Sequence, residues 1–274
     1  MFHIVVSTKG GVGKSTLAKE VVATNLFAAG GKKVRLLEID DCNMSSRITS
    51  SVLSVESFSV SSGIKEAQKA LFEVFNKEDV VLDVGGGNDT NILLNSIRGL
   101  GIANQCVFYI PLLKNKSGIK NLVDVYTLIR EIGNSKIYFI QNQCKSYKKS
   151  EVELEFAYLH GNKDLNIKSA FPSDVDVFNM HTCTIHDTNV FDLSESYGLT
   201  VYEIANEDIS EDFLITEAQK GRDAYDKAFA YLNIYNLCKE YKEKTLDKFY
   251  EECRLWVLLL NIGFVFLFLI VGDI

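Results

Sequence analysis

The sequence predicts an α/β fold, in which a doubly wound, mostly parallel sheet has helices on both faces and is followed by a helical C-terminal segment. Short apolar runs alternate along the chain with longer runs that have helical periodicity. The apolar runs are continuous, which is typical of parallel strands buried on both faces. Because parallel strands need crossover connections, this order of elements favours a sheet covered by helices on both sides.

The predicted elements follow one another in a regular order. The strands are predominantly apolar and lie at Phe2–Val6, Val34–Ile39, Val80–Val84, Cys106–Ile110 and Ile137–Ile140. The helices carry apolar residues every three or four positions and lie at Ser15–Ala29, Ser62–Asn76, Asn91–Arg98 and Gly118–Ile132. Between residues 145 and 205 the pattern is weak, and Leu199–Ile204 resembles a late strand. From Ser210 to about Leu255 the chain is helical and highly charged.

These patterns divide the 274 residues into three parts. Residues 1–205 form the predicted α/β domain, residues 206–254 a charged helical extension packed on it, and residues 255–274 a hydrophobic C-terminal tail. A formal charge of −7 disfavours nonspecific binding of nucleic acid by the whole surface, because such binding needs Lys and Arg to replace counterions. Six cysteines without a C-x-x-C pair indicate reduced thiols in a cytoplasmic protein.

Three residues of metal-binding types, His181, Cys183 and His186, lie close together in the sequence. They are open to two interpretations, a partial metal site or a polar loop. The sequence offers no clear fourth ligand, and the spacing matches no common zinc pattern. We therefore expect a polar loop.

The stretch Ser7–Glu20, STKGGVGKSTLAKE, lies between the first predicted strand and the first predicted helix. In a parallel sheet the ligand crevice is found where strands end and helices begin. Three glycines allow the backbone N–H groups to curl around phosphate oxygens, and the positive helix terminus adds to the attraction. Lys14 supplies charge for the β and γ phosphates, and the Ser15 hydroxyl is placed to coordinate Mg²⁺. The stretch therefore predicts a site for a nucleoside triphosphate with magnesium.

The usual phosphate-loop pattern, G-x-x-x-x-G-K-[ST], is not met strictly, because Thr8 occupies its first position. Lys9–Thr16, KGGVGKST, resembles instead the deviant Walker A loop of the ParA/MinD family of ATPases. The resemblance extends from Met1 to about Ile204 and implies a P-loop NTPase fold, ATP and Mg²⁺ as ligands, and ATP hydrolysis. It implies catalytic roles for Lys9 and Lys14, with Lys9 reaching the ATP of a second subunit in an ATP-dependent homodimer. The loop residues implied to bind ATP are Lys9, Gly10, Gly11, Val12, Gly13, Lys14, Ser15 and Thr16.

Acidic residues near the ends of two predicted strands resemble further parts of the family's site. Glu38 and Asp40 stand where the family has D-x-D, which implies that Asp40 positions the attacking water or lies near the metal in the first switch. Asp83 resembles a Walker B aspartate that holds Mg²⁺ through water, together with Ser15. Glu38 in place of Asp, and the glycines at 85–87 where many members carry prolines, depart from the family pattern. They leave the hydrolysis rate open and predict a mobile second switch.

Two later positions resemble the part of the family's site that binds the base. Asn142 ends a predicted strand, where an asparagine of the relatives bonds to the base, although a surface amide is the alternative. Ala170–Pro172 resembles the segment that borders the base, so Pro172 is an expected contact.

The extension after residue 205 carries interleaved basic and acidic residues. The basic ones are Lys220, Arg222, Lys227, Lys239, Lys242, Lys244 and Lys248. Small ParA proteins bind DNA through basic residues late in the chain, so the resemblance implies DNA or a partition-partner protein as partners. Here the acids nearly cancel the bases, which favours a solvated helix face.

The tail contains an uncharged apolar run, Leu255–Val271, at the lower limit of length for a membrane span. Its apolar residues surround all faces, unlike those of an amphipathic helix lying on a bilayer. Three interpretations are open: a membrane anchor, a helix buried in a dimer or in a partner, or a hydrophobic C-terminus of altered origin. We favour a cytoplasmic protein that contacts a membrane through residues 255–271.

The resemblance as a whole implies slow ATP hydrolysis coupled to dimerisation, in the partition of DNA or plasmids or in positioning within the cell. Two other functions are open on the same fold. One is a nucleotide-dependent adaptor in conjugative transfer. The other is an ATP-dependent small-molecule enzyme similar to CobQ, for which the sequence shows no second motif.

Overall fold

The fold is a parallel sheet. A computed structural model describes residues 1–39, 50–58, 68, 71–72, 79–171 and 181–253. The strands are β1 (Phe2–Val5), β2 (Val34–Ile39), β3 (Leu53–Phe58), β4 (Val80–Val84), β5 (Cys106–Leu112), β6 (Lys136–Cys144) and β7 (His181–His186). They form one sheet in the order β3-β2-β4-β1-β5-β6-β7, and every neighbouring pair is parallel. The predicted doubly wound α/β fold is confirmed.

Helices connect the strands and continue after the last one. Helix α1 comprises Lys14–Thr16, a π-helical segment Leu17–Ala23, and Thr24–Gly30. The following helices are α2 (Asn88–Leu100), α3 (Lys116–Ile132), α4 (Lys149–Glu155), α5 (Ala157–His160), α6 (Val190–Ser196), α7 (Val201–Ala205), α8 (Phe213–Gln219) and α9 (Arg222–Tyr241). Helix α9 continues through a π-helical segment, Lys242–Leu246, and remains helical to residue 253.

The sheet has a hydrophobic core on each face. Consecutive residues of β5 point to opposite faces, so Phe108 packs in one core and Tyr109 in the other. Helices α2 and α3 bury their apolar sides in the first core. Helices α1, α7 and the end of α9 cover the second, where Phe249 and Tyr250 are buried. The extension after residue 205 therefore contributes directly to the core of the sheet domain.

Strand register determines what lies at the carboxyl end of the sheet. Asp83 of β4 lies opposite Val5 of β1 and opposite Glu38 of β2. The loop after β1 therefore leaves the sheet beside two acidic side chains. This edge is where ligands of parallel sheets bind.

Two expectations for the region before residue 205 are wrong. Leu199–Ile204 is not a strand, because Thr200 and Glu203 form a capping box that begins helix α7. Residues 181–186 are not a polar loop but strand β7, in which Cys183 and Ile185 are buried. Within the described ranges no group of three or more His, Cys, Asp or Glu side chains could hold a metal ion.

Two predicted segments fall largely outside the described residues: the helix Ser62–Asn76, apart from residues 68, 71 and 72, and the tail, residues 255–274. Across the part of the chain that is described, the helices are too short or too polar to cross a bilayer.

Candidate functional site

The loop between β1 and α1 is shaped by two glycines. Gly11 and Gly13 have φ angles of 69° and 83°, in the left-handed region that favours glycine. Gly13 is also confined sterically, because a Cβ atom there would lie 2.6 Å from Nδ2 of Asn142. The Leu17 N–H donates to the Gly13 carbonyl over 3.0 Å and begins the helix. The glycine spacing of the sequence thus produces a curled loop at a helix start.

Lys14 lies over this loop. Its Nζ donates a hydrogen bond of 3.2 Å to the carbonyl of Lys9, so the side chain folds back across the curl. Ser15 and Thr16 are exposed in the first turn of α1. An ammonium group and two hydroxyl-bearing residues therefore surround the backbone amides of the loop, an arrangement suited to a polyphosphate.

Lys9 lies at the rim of the loop. Its Nζ donates a 3.3 Å hydrogen bond to the Ser117 hydroxyl, in the first turn of α3. The Asn115 side chain caps that helix by accepting from the Gly118 N–H over 2.8 Å. Ser117 is exposed, so the ammonium group is at the surface of the site. Sequence reasoning missed this contact, because residues 9 and 117 share no motif.

Asp83 and the glycines that follow it lie beside the loop. Asp83 is buried at the end of β4, and the neighbouring Glu38 carboxylate accepts a 2.9 Å hydrogen bond from the Ser57 hydroxyl. The Gly87 N–H donates to the Thr8 carbonyl over 3.1 Å, which ties the expected second switch to the loop after β1. Asp40, the expected water-positioning residue, lies outside the described residues.

A cavity of about 210 Å³ adjoins the loop on the side of β6 and β7. Its walls come from the start of α1, the end of β6 and the segment that follows β7, and include Gly13, Thr16, Asn142, Gln143, His186, Asp187, Thr188 and Asp192. The lining combines these polar groups with apolar side chains and adjoins the loop, which suits the nucleoside part of a ligand whose phosphates occupy the loop.

Asn142 braces the loop between β1 and α1 at the edge of this cavity. Its Nδ2 donates to the Val12 carbonyl over 2.9 Å, and its Oδ1 accepts from the Gln143 N–H over 3.0 Å. Gln143 itself has a φ of 58°, at a register shift between β6 and β7. Such a bulge commonly redirects side chains next to a site. A buried brace is thus a role that neither sequence interpretation of Asn142 included.

The segment after β7 contributes polar groups to the cavity. Asp187, Thr188 and Asp192 line it. Their hydroxyl and carboxylate groups can bond to a base or a sugar. They were missed because strand β7 was not recognised. Pro172, the expected contact of the base, lies outside the described residues, and Phe171 packs against Tyr126 and Phe139 with ring centroids 5.5 and 5.9 Å apart.

The basic residues of the extension are largely paired with acids. Ion pairs join Lys220 to Glu217, Arg222 to Asp226, Lys242 to Asp247, and Lys244 to Glu240. Paired lysines offer less charge to a polyanion than free ones. The pairing favours the solvated helix face over a DNA surface.

Comparison with known proteins places the fold. No protein-family model matches the sequence, and no curated protein matches it. The structure of apo McdA from Cyanthece matches with a TM-score of 0.51 and 12% identity, over 83% of this chain and 98% of that one. The chain shares the fold of McdA, a parallel sheet with helices on both faces. The fold expected from the ParA/MinD resemblance is thereby confirmed.

Two MinD structures match less closely. The septum site-determining protein MinD from Pyrococcus horikoshii OT3, complexed with Mg-ADP, has a TM-score of 0.48 and 12% identity, over 89% of this chain and 98% of that one. The cell division ATPase MinD from Pyrococcus furiosus has a TM-score of 0.47 and 12% identity, over 85% and 98% of the two chains.

Proposed function

We propose that the chain is a ParA/MinD-type ATPase that binds Mg-ATP in the loop after β1, dimerises on ATP and hydrolyses it slowly. The observation that carries this proposal is the loop itself, curled by Gly11 and Gly13 at the carboxyl end of a central strand and covered by Lys14. Its output is positional, either the partition of DNA or the placement of a complex within the cell. The fold shared with McdA supports the proposal.

The residues at the site fit both ATP and magnesium. In this proposal the amides of residues 10–13 and Lys14 bind the phosphates, while Ser15 and Asp83, the latter through water, hold Mg²⁺. A hydroxyl and a carboxylate are the hard oxygen donors that Mg²⁺ prefers. When bound, Mg²⁺ neutralises charge on the phosphate oxygens.

Lys9 is proposed to close the site of a second copy of the chain. In the single chain its ammonium group donates a hydrogen bond to the exposed Ser117 hydroxyl, which carries no charge. The hydroxyl is a neutral acceptor, whereas a phosphate oxygen adds the attraction between opposite charges to the hydrogen bond. Exchanging Ser117 for a partner's γ phosphate is therefore favourable, which makes dimerisation depend on the triphosphate.

Light scattering after size exclusion tests this dimer. The chain is expected to dimerise with Mg-ATP and to remain monomeric with Mg-ADP. Lys9→Ala should retain nucleotide binding but lose the dimer. Lys33→Ala is the matched control, because Lys33 is exposed just before β2, at the opposite end of the sheet. A Lys9→Ala chain that dimerises like the parent would refute the role of Lys9.

The tail is proposed to attach the protein to a membrane. The described chain ends at Cys253, within the helix that continues α9, and the apolar run begins two residues later. Flotation with phosphatidylcholine vesicles should recover the full chain and lose a chain truncated after Cys253. Equal recovery of both chains would show that the tail is not needed for membrane binding.

A further inference from the structure

A second cavity, of about 310 Å³, lies along β7, the last strand in the sheet order. Its walls come from β6, from α4 and α5, and from the end of the helix that continues α9. The volume is in the range of sites for small ligands. No motif in the sequence points to this cavity, and the proposed ATPase function does not use it.

The cavity contains a row of side chains that are already oriented by hydrogen bonds. The Thr184 hydroxyl donates to Oε1 of Gln141 over 3.2 Å, and Nε2 of Gln141 donates to Nε2 of His160 over 3.0 Å. Burial lowers the pKa of His160, in agreement with a neutral ring that accepts this bond. Gln141 is buried, so the row is held in place before any ligand arrives.

His186 forms the boundary between the two cavities. It lines both of them. Its Nε2 donates to the Ser146 carbonyl over 3.0 Å, its Nδ1 lies 3.1 Å from the Thr245 hydroxyl, and its ring stacks on Tyr147 at 3.8 Å. The second cavity is thus walled off from the nucleotide site by a fixed side chain.

The lining of this cavity carries charged groups of both signs. Three lysines line the cavity, Lys149, Lys244 and Lys248, against two glutamates, Glu153 and Glu252. Lys244 is paired with Glu240 outside the cavity, whereas Lys149 and Lys248 form no ion pair within the described part of the chain. Two unpaired ammonium groups suit a phosphate, and the carboxylates and the oriented amide suit hydroxyl groups.

We propose that this cavity binds a phosphate carried on a polyol, of the glycerol phosphate type. Lys149 and Lys248 take the phosphate, while Gln141 and the glutamates take the hydroxyl groups. The same chemistry occurs in a free sugar or glycerol phosphate and in the headgroup of an anionic phospholipid. Glu252 lies three residues before the apolar run at Leu255, so the cavity is close in sequence to the segment proposed to contact the membrane.

The test uses the full chain with Lys14→Ala, so that the phosphate loop does not contribute to the signal. Glycerol 3-phosphate is titrated by calorimetry. In a second arm the chain is floated with phosphatidylcholine vesicles, with and without phosphatidylglycerol. The cavity variant carries Lys149→Gln and Lys248→Gln. The matched control carries Lys163→Gln and Lys227→Gln, which remove the same charge from exposed positions outside the cavity.

The cavity variant should weaken binding by about tenfold or more, and the control should leave it unchanged. Binding of soluble glycerol 3-phosphate identifies a free metabolite as the source. Recovery that phosphatidylglycerol raises above the level with phosphatidylcholine alone, and that the cavity variant loses, identifies a lipid headgroup. The proposal is overturned if glycerol 3-phosphate does not bind and phosphatidylglycerol does not raise the recovery of the chain. It is also overturned if both double variants weaken binding equally, which would indicate nonspecific attraction to the surface.

Discussion

A buried carboxyl in the first helix should make the stability of the protein depend on pH. Glu20 lies in the π-helical segment of α1 and is 1% exposed. Its Oε2 accepts a 2.9 Å hydrogen bond from the Val201 N–H, and its Oε1 lies 3.7 Å from Nζ of Lys19. Burial raises the pKa of Glu20 from 4.5 to about 7, an effect that Glu195 and Glu203 add to and that Lys19 and the Val201 amide oppose.

The folded chain holds this proton more tightly than the unfolded chain, so Glu20 makes the protein less stable as the pH rises. The protonated carboxyl stabilises the fold in full below a pH of about 4.5, and this contribution is lost as the pH rises to about 7. The difference between the two pKa values corresponds to a contribution of about 3 kcal/mol to the free energy of unfolding. Glu20→Gln keeps an acceptor for the Val201 N–H and carries no charge at any pH. The variant should therefore lose the pH dependence that Glu20 contributes.

The assay is urea unfolding followed by circular dichroism, at a series of pH values from acidic to mildly alkaline. From low to high pH, the free energy of unfolding of Glu20→Gln should rise by about 3 kcal/mol relative to the parent. Taking this difference cancels groups common to both proteins. The main one is His3, whose pKa burial lowers to about 4 and which therefore destabilises the fold as the pH falls below 6.5.

Glu211→Gln is the matched control, because Glu211 is exposed before α8. Its difference from the parent should stay constant over the same series. A constant difference for Glu20→Gln as well would refute the reasoning. It would mean that the buried site admits water or rearranges to solvate the carboxylate.

Two further pairs of substitutions test how the loop and the end of the sheet domain are built. Gly13→Ala should lower the free energy of unfolding by about 1–3 kcal/mol. The alanine would have to keep the left-handed φ of Gly13, and its Cβ would collide with Nδ2 of Asn142. Gly10→Ala, which meets nothing within 4 Å, should have a smaller effect in the same urea titration; equal losses would contradict this account of the loop. Thr200→Ala should cost about 1 kcal/mol through loss of the cap on α7, and Thr200→Ser should restore most of it. Equal stability of the Ala and Ser variants would show that the hydroxyl does not cap the helix.

The central strands could be predicted because they are buried on both faces. Strands β1, β4 and β5 are buried at every residue and appear in the sequence as continuous apolar runs. Helices α2 and α3 were also recognised, to within three residues of their observed ends. These elements are recognisable because their buried positions require apolar side chains, which the sequence shows directly.

The outer strands could not be recognised in the same way. Strand β3 reads LSVESF and β7 reads HTCTIH, so polar residues alternate with apolar ones. An outer strand has a neighbour on one side only and a more exposed face, which relaxes the requirement for apolar residues. Neither strand forms a continuous apolar run, so the sequence did not predict them. The helix at Val201–Ala205 does have a recognisable sequence signal, the capping box of Thr200 and Glu203. Its apolar residues nevertheless resembled a strand, and the sequence analysis gave them more weight.

The candidate site shows the same division. The loop at Lys9–Thr16 and the position of Asp83 were predicted, because each belongs to a local pattern at the end of an apolar run. The brace from Asn142 to Val12 and the contact of Lys9 with Ser117 join residues more than 100 positions apart. Such contacts follow from the packing of the sheet, and no local pattern encodes them.

The most direct test of the account is a calorimetric titration of the full chain with Mg-ATP, set against the same titration of Lys14→Ala. The account predicts binding by the parent and an affinity at least about tenfold lower for the variant, because charged hydrogen bonds to phosphate are lost. No heat of binding for the parent, or equal affinity for the two proteins, would contradict the claim that the loop after β1 holds a triphosphate.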